Sequence, residues 1–313
     1  MNMTRSEAKK KKRKWPYWLG GIVLVLLLIG GGYFWYVWDK LHETVDTMHE
    51  PLTRDTEPER EEKIETIFKE KDSLNLLLLG VDEREGDTGR TDTMILLSVN
   101  PNTNSMLMLS IPRDTYVEIP EYGMDKINHA YVRGGIERTI DTVEQTFDIP
   151  VHFYGKVNME GFELGVDALG GITVQNKMEF TQGPSHFPVG KIELNGEEAL
   201  DYIRMRKNDP QGDLGRNERQ QQVITAALNE AASFSSITKV GDILNILGNN
   251  VNTNLKMTNF QDLFSNYLGS RKNIETLHLS GSGQFIGAIW YYIVPDSEFE
   301  RISNEFTKHM EAR

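Results

Sequence analysis

An uncharged stretch of 24 residues, from Trp15 to Trp38, constrains this chain more than any other feature. Its centre, Ile22–Ile29, consists only of Ile, Val and Leu. As a helix, the stretch would span ~36 Å at ~1.5 Å per residue, which exceeds the ~30 Å of a bilayer's hydrocarbon core. Trp and Tyr concentrate at both ends, as is typical of membrane interfaces. The sequence therefore predicts one transmembrane helix over 15–38.

The charges around this stretch predict its orientation. Residues 1–14 contain seven basic residues and a single acid, Glu7. By the positive-inside rule, this basic tail is cytoplasmic and residues 39–313 lie outside the membrane. A cleaved signal peptide is the alternative, but the aromatic residues after Gly30–Gly32 do not resemble a cleavage site. The pattern favours an uncleaved anchor on a bacterial surface protein.

The composition of the whole chain excludes several function classes. The 313 residues carry a net charge of −12, although the tail is basic, so the exported part is strongly acidic. An acidic domain argues against a nucleic-acid-binding protein, which would show a basic footprint. The absence of Cys excludes disulfide frameworks, Cys metal sites and Cys nucleophiles.

The remaining chain divides into a stalk and one folded domain. Residues 39–72 are rich in charge and poor in large apolar residues, which predicts a partly helical stalk. The domain is predicted over 73–313, where strand-like apolar runs alternate with helical patterns. This alternation indicates an α/β fold, a three-layer α-β-α sandwich with a central mixed sheet. Helices are expected near 136–147, 158–169, 195–203, 217–232, 238–247, 258–269 and 296–310.

Two carboxylates lie at the ends of neighbouring predicted strands. Asp82 follows the run Leu74–Leu79, and Asp92 precedes the strand-like run 93–99. Both can reach the same end of a sheet, and two carboxylates plus substrate phosphates are a usual way to hold Mg²⁺. Loop acids that are simply solvated are the more common explanation of such a spacing, so both interpretations stay open.

Arginines concentrate in three strand-end or loop segments of an otherwise acidic domain. Arg is permanently charged and binds phosphate oxygens in a bidentate manner. Structural ion pairs with Asp114, Asp209, Asp213 or Glu218 would explain any one of them, but a converging cluster favours a polyanionic ligand such as pyrophosphate. The arginines are Arg90, Arg113, Arg204, Arg206, Arg216 and Arg219.

Helical spacing refines this cluster. Arg216, Arg219 and Gln220 share one face at the start of a predicted helix, where free N–H groups also favour anions. Arg204 and Arg206 are two residues apart and cannot both point inward from a regular helix. Either the helix ends near residue 204 or one of the two faces solvent.

Common catalytic motifs are missing. The sequence has no GxxxxGK[ST], GxSxG or HExxH motif, which excludes ordinary P-loop nucleotide binding. The segment Gly281–Gly287 is rich in Gly but has the wrong spacing for a phosphate loop, so we expect a turn. His129 lies close to Asp125 and Lys126 and is expected to be a structural histidine rather than a base.

The polar strand ends and arginines fall in three segments, which in chain order are LLLLGVDEREGDTGRTDTMILLSVN, SIPRDTYVEIP followed by DKINHAY, and EALDYIRMRKNDPQGDLGRNERQQQVI. In this order, the three segments resemble the LytR–CpsA–Psr family of Gram-positive bacteria. The resemblance covers residues 73–230 and extends to the short tail and single anchor upstream.

The resemblance implies an extracellular transferase. Such an enzyme moves an anionic glycopolymer, such as wall teichoic acid, from a polyprenyl pyrophosphate carrier to a muramic acid hydroxyl of peptidoglycan. By position, Asp82 and Asp92 would hold Mg²⁺, with Mn²⁺ as a possible substitute. Arg90, Asp92, Arg113, Arg206 and Arg216 would act on the pyrophosphate. Further binding groups would be Lys126, Arg204, Asp213, Arg219 and Gln220.

The general base and the reaction class stay open at this point. Asp92 and Asp213 are the candidates for accepting the proton of the acceptor hydroxyl. A pyrophosphohydrolase would use the same site with water as the acceptor, and a non-catalytic envelope regulator would only bind the lipid pyrophosphate. Transfer is the favoured hypothesis, because phosphoryl transfer needs positioning and charge stabilisation more than covalent catalysis.

Overall fold

The computed structural model divides the chain into two units, Met1–Glu43 and Thr44–Arg313, which are described separately. The predicted basic tail lies outside the described residues, and so does almost all of the helix predicted over 238–247. Side chains of 15–30 and Phe34 are also outside the description. The structure describes residues 15–82, 89–206, 209–233, 246 and 248–313.

The predicted anchor has a helical backbone. Helix α1 begins at Trp15 and ends at Met48, so it covers the whole of 15–38. Within the part of the chain whose side chains the structure describes, no helix is long and apolar enough to cross a membrane. Most side chains of the predicted anchor lie outside that part, so its transmembrane role stays a prediction.

The prediction of a stalk over 39–72 is wrong beyond residue 43. Helix α2, Pro58–Glu70, places Ile67 and Phe68 in a buried cluster, and Ile64 packs against it. These three residues have the i, i+3, i+4 spacing of an apolar helical stripe, which the surrounding charges obscure. Leu52 is also buried in the main core. The segment from Thr44 onward is therefore part of the folded domain.

Six strands form the central mixed sheet. They are β1 Leu74–Val81, β2 Thr91–Asn100, β3 Ser105–Ser110, β6 Phe153–Asn158, β11 Val251–Thr253 and β12 Ile274–Leu277. Their order in the sheet is β11-β6-β1-β2-β3-β12. Pairs β1–β6 and β3–β12 are parallel, whereas β1–β2, β2–β3 and β6–β11 are antiparallel.

Within the described residues, the other β-structure consists of four two-stranded sheets. The turn predicted for Gly281–Gly287 is wrong for most of this segment, because Ser282–Ile286 form strand β13. Only Gly287, in the left-handed region, lies in the hairpin turn that follows. The strands pair as β4 Tyr116–Ile119 with β5 Gly123–Lys126, β7 Ile172–Asn176 with β10 Gly190–Leu194, β8 Phe180–Gln182 with β9 Ser185–Phe187, and β13 Ser282–Ile286 with β14 Ile289–Ile293.

Helices are distributed over both faces of the central sheet. They are α3 His129–Phe147, α4 Met159–Leu169, α5 Gly196–Arg204, α6 Asp213–Ser233, a short helix Met257–Asp262 continued by a π-turn to Tyr267 and a 3₁₀ turn to Lys272, and the C-terminal helix Asp296–Glu311. On one face, Leu77 and Leu79 of β1 share a buried cluster with Ile140 of α3 and Phe306 of the C-terminal helix. On the other face, Leu76 and Leu78 pack near Ile224 of α6. This confirms the predicted mixed sheet between helical layers.

Strand directions bring the polar strand ends to one edge of the sheet. Because β3, β6 and β12 run parallel to β1, their carboxyl ends lie beside the carboxyl end of β1. The antiparallel strand β2 begins at this edge. Asp82, Asp92 and Arg113 therefore meet there, as their places in the sequence predict.

Buried His152 makes domain stability depend on pH. The backbone N–H of Asn75 donates to Nδ1 of His152 at 2.9 Å, so this nitrogen must be unprotonated. Burial, with nearby Arg60, Lys63 and Arg54, lowers the pKa of His152 to about 3. The unfolded chain binds this proton near pH 6.5, whereas the folded protein does not. Stability is therefore full above pH ~6.5 and falls towards pH 3, by at most about 1.4 kcal/mol per pH unit for one group.

The substitution His152→Gln tests this prediction, since a Gln carbonyl oxygen keeps the acceptor without the titration. Urea unfolding of both proteins between pH 7 and 4 should give a shallower decline of the free energy of unfolding for the variant. Equal declines would contradict a role for His152.

Candidate active site

A β-bulge presents Asp92 at the edge of the sheet. In the β1–β2 ladder, Gly80 pairs with Thr93 and the next residue, Val81, pairs with Thr91. Asp92 is thus the extra residue, and such bulges re-aim a side chain and bend the strand. Asp82 follows immediately, where its N–H donates to the carbonyl of Arg90 at 3.2 Å. Both carboxylates line the same cavity.

Arg113 connects two carboxylates. Its Nη1 donates to Asp92, and its Nε lies 3.7 Å from Asp114 Oδ2. Burial by itself would lower the pKa of Arg113, but the attraction of Asp92 and Asp114 raises it above its usual value. Lys126 of β5 donates to Asp114 at 2.5 Å. The cation–carboxylate chain thus extends from the bulge to β5.

Helix α5 ends at the position that the arginine spacing requires. Its last residue is Arg204, and Met205 is extended, with φ −60° and ψ 132°. Because the chain leaves the helix between them, Arg204 and Arg206 both line the cavity. Of the two alternatives left by the sequence, the structure selects the one in which the helix ends near residue 204.

The first turn of α6 completes the charged cluster. Asp213 is its first residue, and its Oδ1 lies 2.9 Å from Arg206 Nε and 3.4 Å from Arg216 Nη2. Gln220, one turn after Arg216, donates from Nε2 to Thr93 Oγ1 at 2.8 Å. This hydrogen bond ties the helix to β2, directly beside Asp92.

Arg216 is the most enclosed cation that lines the cavity. The residue is only 7% exposed. Burial lowers the pKa of its guanidinium, Asp213 opposes this effect, and Arg113 and Arg206 reinforce it. Its Nε has no hydrogen-bond partner among the residues that the structure describes. A buried guanidinium with an unused donor and cationic neighbours is well suited to bind an anion.

Arg219, unlike Arg216, has a structural role. It is buried, and its donors reach the carbonyls of Tyr202 and Met205, at 3.1 and 2.5 Å, and Asp209 Oδ2, at 2.6 Å. The guanidinium also lies over the ring of Phe180. Arg219 is not among the cavity-lining residues. It joins α6 to the end of α5, which positions the arginines that do line the cavity.

The ion pair between Arg219 and Asp209 leaves no room for a side chain at Gly215 of α6. A Cβ on Gly215 would stand 1.9 Å from Asp209 Oδ2, so Gly215→Ala would displace this carboxylate from Arg219. Breaking a buried ion pair costs about 3–5 kcal/mol. We expect Gly215→Ala to lower the free energy of unfolding by about 3 kcal/mol in chemical denaturation.

The matched control is Gly165→Ala in α4, where a Cβ would meet nothing within 4 Å. This change should stabilise the protein by up to about 1 kcal/mol, because Ala has the higher helix propensity. If both substitutions had the same small effect, Gly215 would not be needed for the ion pair.

An apolar cavity extends from the charged cluster. Its volume is about 600 Å³, and it lies between the α6-side face of β1 and β6 and the helices α4, α5 and α6. Leu78 on β1 is only half-buried because it faces this space. Its apolar lining includes Leu78, Val157, Phe162, Leu200, Ile203, Val223 and Ile224. A long apolar chain with an anionic end would fit both the cavity and its charged mouth.

Not every predicted residue reaches the cavity. Arg90 is exposed and contributes a backbone carbonyl, while Lys126 acts through Asp114. Neither is among the lining residues, and Asp213 reaches the cavity only through its arginines. His129 pairs with Asp125 at 2.9 Å, as expected of a structural histidine.

Sequence reasoning missed several polar residues of the lining, among them two on one strand. Lys156 and Asn158 lie at the carboxyl end of β6 and line the cavity. This polar end directly precedes the helix predicted near 158–169, and its polar side chains could have marked it in the sequence. Only the parallel pairing of β6 with β1 shows that this end lies at the functional edge.

The carboxylates suit a magnesium site that the substrate completes. Mg²⁺ prefers oxygen ligands, keeps several waters and is commonly held by one or two carboxylates plus phosphate oxygens. Asp82 and Asp92 provide such a pair in the cavity lining. No group of three or more His, Asp or Glu able to hold a metal occurs within the described part of the chain. The donor set therefore fits a metal bound together with a phosphate ligand.

Comparison with known proteins identifies relatives over nearly the whole chain. The LytR_cpsA_psr family matches residues 35–308. The polyisoprenyl-teichoic acid–peptidoglycan teichoic acid transferase TagU of Oceanobacillus iheyensis is 57% identical over 99% of both chains. The protein of the same name from Bacillus subtilis is 46% identical over 98% of this chain and 99% of its own.

Solved structures share the fold. The crystal structure of B. subtilis TagU has a TM-score of 0.63 and 45% identity, and the match covers 77% of this chain and 98% of that chain. TagT bound to LI-WTA has a TM-score of 0.68 and 33% identity over 78% of this chain and 92% of that chain. TagU of B. subtilis is thus a relative of this chain both by sequence and by structure.

Proposed function

The chain belongs to the LytR_cpsA_psr family, and we propose that it is a phosphotransferase that attaches an anionic glycopolymer to peptidoglycan. The donor would be wall teichoic acid on a polyprenyl pyrophosphate, and the acceptor a muramic acid hydroxyl. The observation that carries the proposal is the apolar cavity of about 600 Å³ that ends at Arg113, Arg206 and Arg216. Relatives named teichoic acid transferases, and a solved relative with LI-WTA bound, support the substrate class.

The apolar cavity and its charged mouth would bind different parts of the donor. The polyprenyl chain would occupy the apolar part, where burial stabilises it by roughly 25 cal/mol per Å² of apolar surface. The pyrophosphate would lie among the arginines, whose mutual repulsion a polyanion relieves. Arg216 supplies the unused Nε donor, and Arg113 and Arg206 supply further guanidinium groups.

The reaction exchanges one phosphorus–oxygen bond for another. The acceptor hydroxyl oxygen attacks the phosphorus that carries the polymer, and the bond from that phosphorus to the bridging oxygen breaks. Polyprenyl monophosphate leaves, and the hydroxyl proton passes to a carboxylate, Asp92 or Asp213. Positively charged groups aimed at the phosphate oxygens stabilise the charge that develops on the leaving group.

Magnesium would assist from Asp82 and Asp92. When bound there, it would neutralise charge on the pyrophosphate oxygens, with Mn²⁺ as a possible substitute. Arg113 holds Asp92 by an ion pair, and this contact would fix the carboxylate in the direction of the phosphate.

The proposed location is the outer face of the cell membrane. The uncharged stretch 15–38 would span the bilayer once, with the basic tail in the cytoplasm. A domain anchored in this way would meet a lipid-linked donor at the membrane surface, which suits a cavity for an apolar chain.

The test is to reconstitute the full chain in vesicles with lipid-linked polymer, uncrosslinked peptidoglycan glycan and Mg²⁺, in water enriched in ¹⁸O. Transfer should give polymer joined to glycan by a phosphodiester free of ¹⁸O. Release of polymer bearing a terminal phosphate with one ¹⁸O would instead identify a pyrophosphohydrolase. Tight binding of the donor without turnover would identify a regulator, and both outcomes contradict the proposal.

A further inference from the structure

A second groove lies across helix α6 from the apolar cavity. It has a volume of about 380 Å³ and lies between β7, the outward face of α6 and the carboxyl end of the edge strand β12. Its lining includes Gln175, Glu218, Gln221, Thr225, Thr276 and His278. None of the predicted site residues lines this groove.

The two spaces use opposite faces of one helix. Arg216, Gln220 and Ile224 line the apolar cavity, whereas Gln221 and Thr225 line the groove. At ~100° per residue, the groove-lining residues of α6, which also include Glu218 and Asn229, centre about half a turn away from Arg216 and Gln220. The first turns of α6 therefore separate the groove from the arginine cluster by no more than the width of a helix, ~10 Å.

The groove also opens at the functional edge of the sheet. His278 directly follows β12, and β12 runs parallel to β3, the strand that leads to Arg113. From Glu218 to Asn229 the groove follows α6 for ~16 Å, at ~1.5 Å per residue. A ligand longer than one sugar ring could lie in it and still reach the charged mouth.

The chemistry of the groove differs from that of the cavity mouth. Amides and hydroxyls dominate its lining, and its Lys177 and Glu218 pair at 3.2 Å, so their charges cancel. Gln221 is 5% exposed, and within the described residues its Nε2 has no hydrogen-bond partner. A buried donor without a partner costs about 1–3 kcal/mol, which a ligand acceptor would recover. A ligand rich in hydroxyl and acetamido oxygens fits this lining.

The proposed reaction needs an acceptor site on the far side of the arginine cluster from the apolar cavity. Attack on phosphorus takes place roughly in line with the departing oxygen. The leaving polyprenyl phosphate would be held by the apolar cavity, so the acceptor must approach from the other side of the cluster. We propose that the groove along α6 binds the acceptor glycan strand, with Gln221 donating to one of its oxygens. This inference rests on the proposed transferase function and adds the acceptor subsite to it.

The test measures acceptor and donor kinetics separately for the full chain in vesicles. The variants are Thr173→Trp, which fills the groove from an exposed position of its rim, and Gln221→Ala, which removes the buried donor. The probe is a soluble glycan of alternating N-acetylglucosamine and N-acetylmuramic acid. We expect KM for this glycan to rise at least tenfold, while KM for the lipid-linked donor changes less than twofold.

The matched control for Gln221→Ala is Gln145→Ala, an exposed glutamine on α3, on the opposite face of the sheet. It should leave both KM values unchanged. If wild type transfers polymer but Thr173→Trp keeps the wild-type KM for the glycan, the acceptor does not use this groove. If wild type transfers no polymer to any glycan, the proposed function itself fails, so the two failures are distinguishable. Because Thr173 is exposed, its variant remains informative even if Gln221→Ala does not fold.

Discussion

Replacing Arg216 by Ala should reduce polymer transfer by about 10³-fold while the protein stays folded. The guanidinium is buried at the mouth of the cavity, and its Nε is available to the ligand. Removing one preorganised donor to a developing charge costs about 10²–10³ in rate, and a charged arginine at a transferring phosphoryl group can contribute 10³–10⁵. Transfer rates with saturating donor and acceptor measure the effect directly.

The same substitution should cause little loss of stability. Asp213 keeps Arg206 as its partner at 2.9 Å, so no buried carboxylate becomes unpaired. Arg206 and Arg113 lose a like charge nearby, which partly offsets the lost packing. The control is Arg301→Ala, which removes an ion pair with Glu298 in the C-terminal helix and should leave transfer unchanged. Normal transfer by Arg216→Ala would contradict the assignment of the arginine cluster.

Asp92→Asn should reduce transfer about 100-fold and raise the Mg²⁺ concentration that gives half-maximal rate at least tenfold. The amide keeps the size of the side chain but removes the negative charge that would hold the metal and that pairs with Arg113. A loss of roughly 3 kcal/mol of charge stabilisation corresponds to about 100-fold in rate. Rates over a Mg²⁺ titration, repeated with Mn²⁺, provide the measurement.

Asp148→Asn is the matched control for this change. Asp148 is exposed and is the C-cap residue of helix α3, in the left-handed region at φ 51°. It is not part of the charged cluster. Asn tolerates this backbone conformation, so both rate and metal requirement should stay at the wild-type values. If Asp92→Asn showed the same Mg²⁺ midpoint as the wild type, Asp92 would not be a metal ligand.

Local patterns in the sequence predicted much of the site. Asp82, Asp92 and Arg113 stand beside apolar strand runs, so the end of each strand marked its place at the edge of the sheet. The helical pattern over 195–203 predicted the end of α5 within one residue. The spacing of Arg204 and Arg206 left two alternatives, a helix end near residue 204 or one arginine facing solvent, and the structure has the helix end. These inferences need only the periodicity of a single element.

Other features depend on contacts between distant segments. The bulge at Asp92 arises from the register of β1 against β2, and Lys156 and Asn158 reach the cavity only because β6 pairs parallel to β1. The different roles of Arg216 and Arg219 follow from the partners each one meets, although both lie on α6. The packing of α2 was hidden because charged residues surround its short apolar stripe.

The most direct test of the account is a structure of the protein with a polyprenyl-pyrophosphate-linked polymer bound. We expect the pyrophosphate within hydrogen-bond distance of Arg113, Arg206 and Arg216, and the polyprenyl chain against Leu78 and Phe162 inside the cavity of about 600 Å³. A pyrophosphate bound away from these arginines, or a polyprenyl chain outside the cavity, would contradict the central claim.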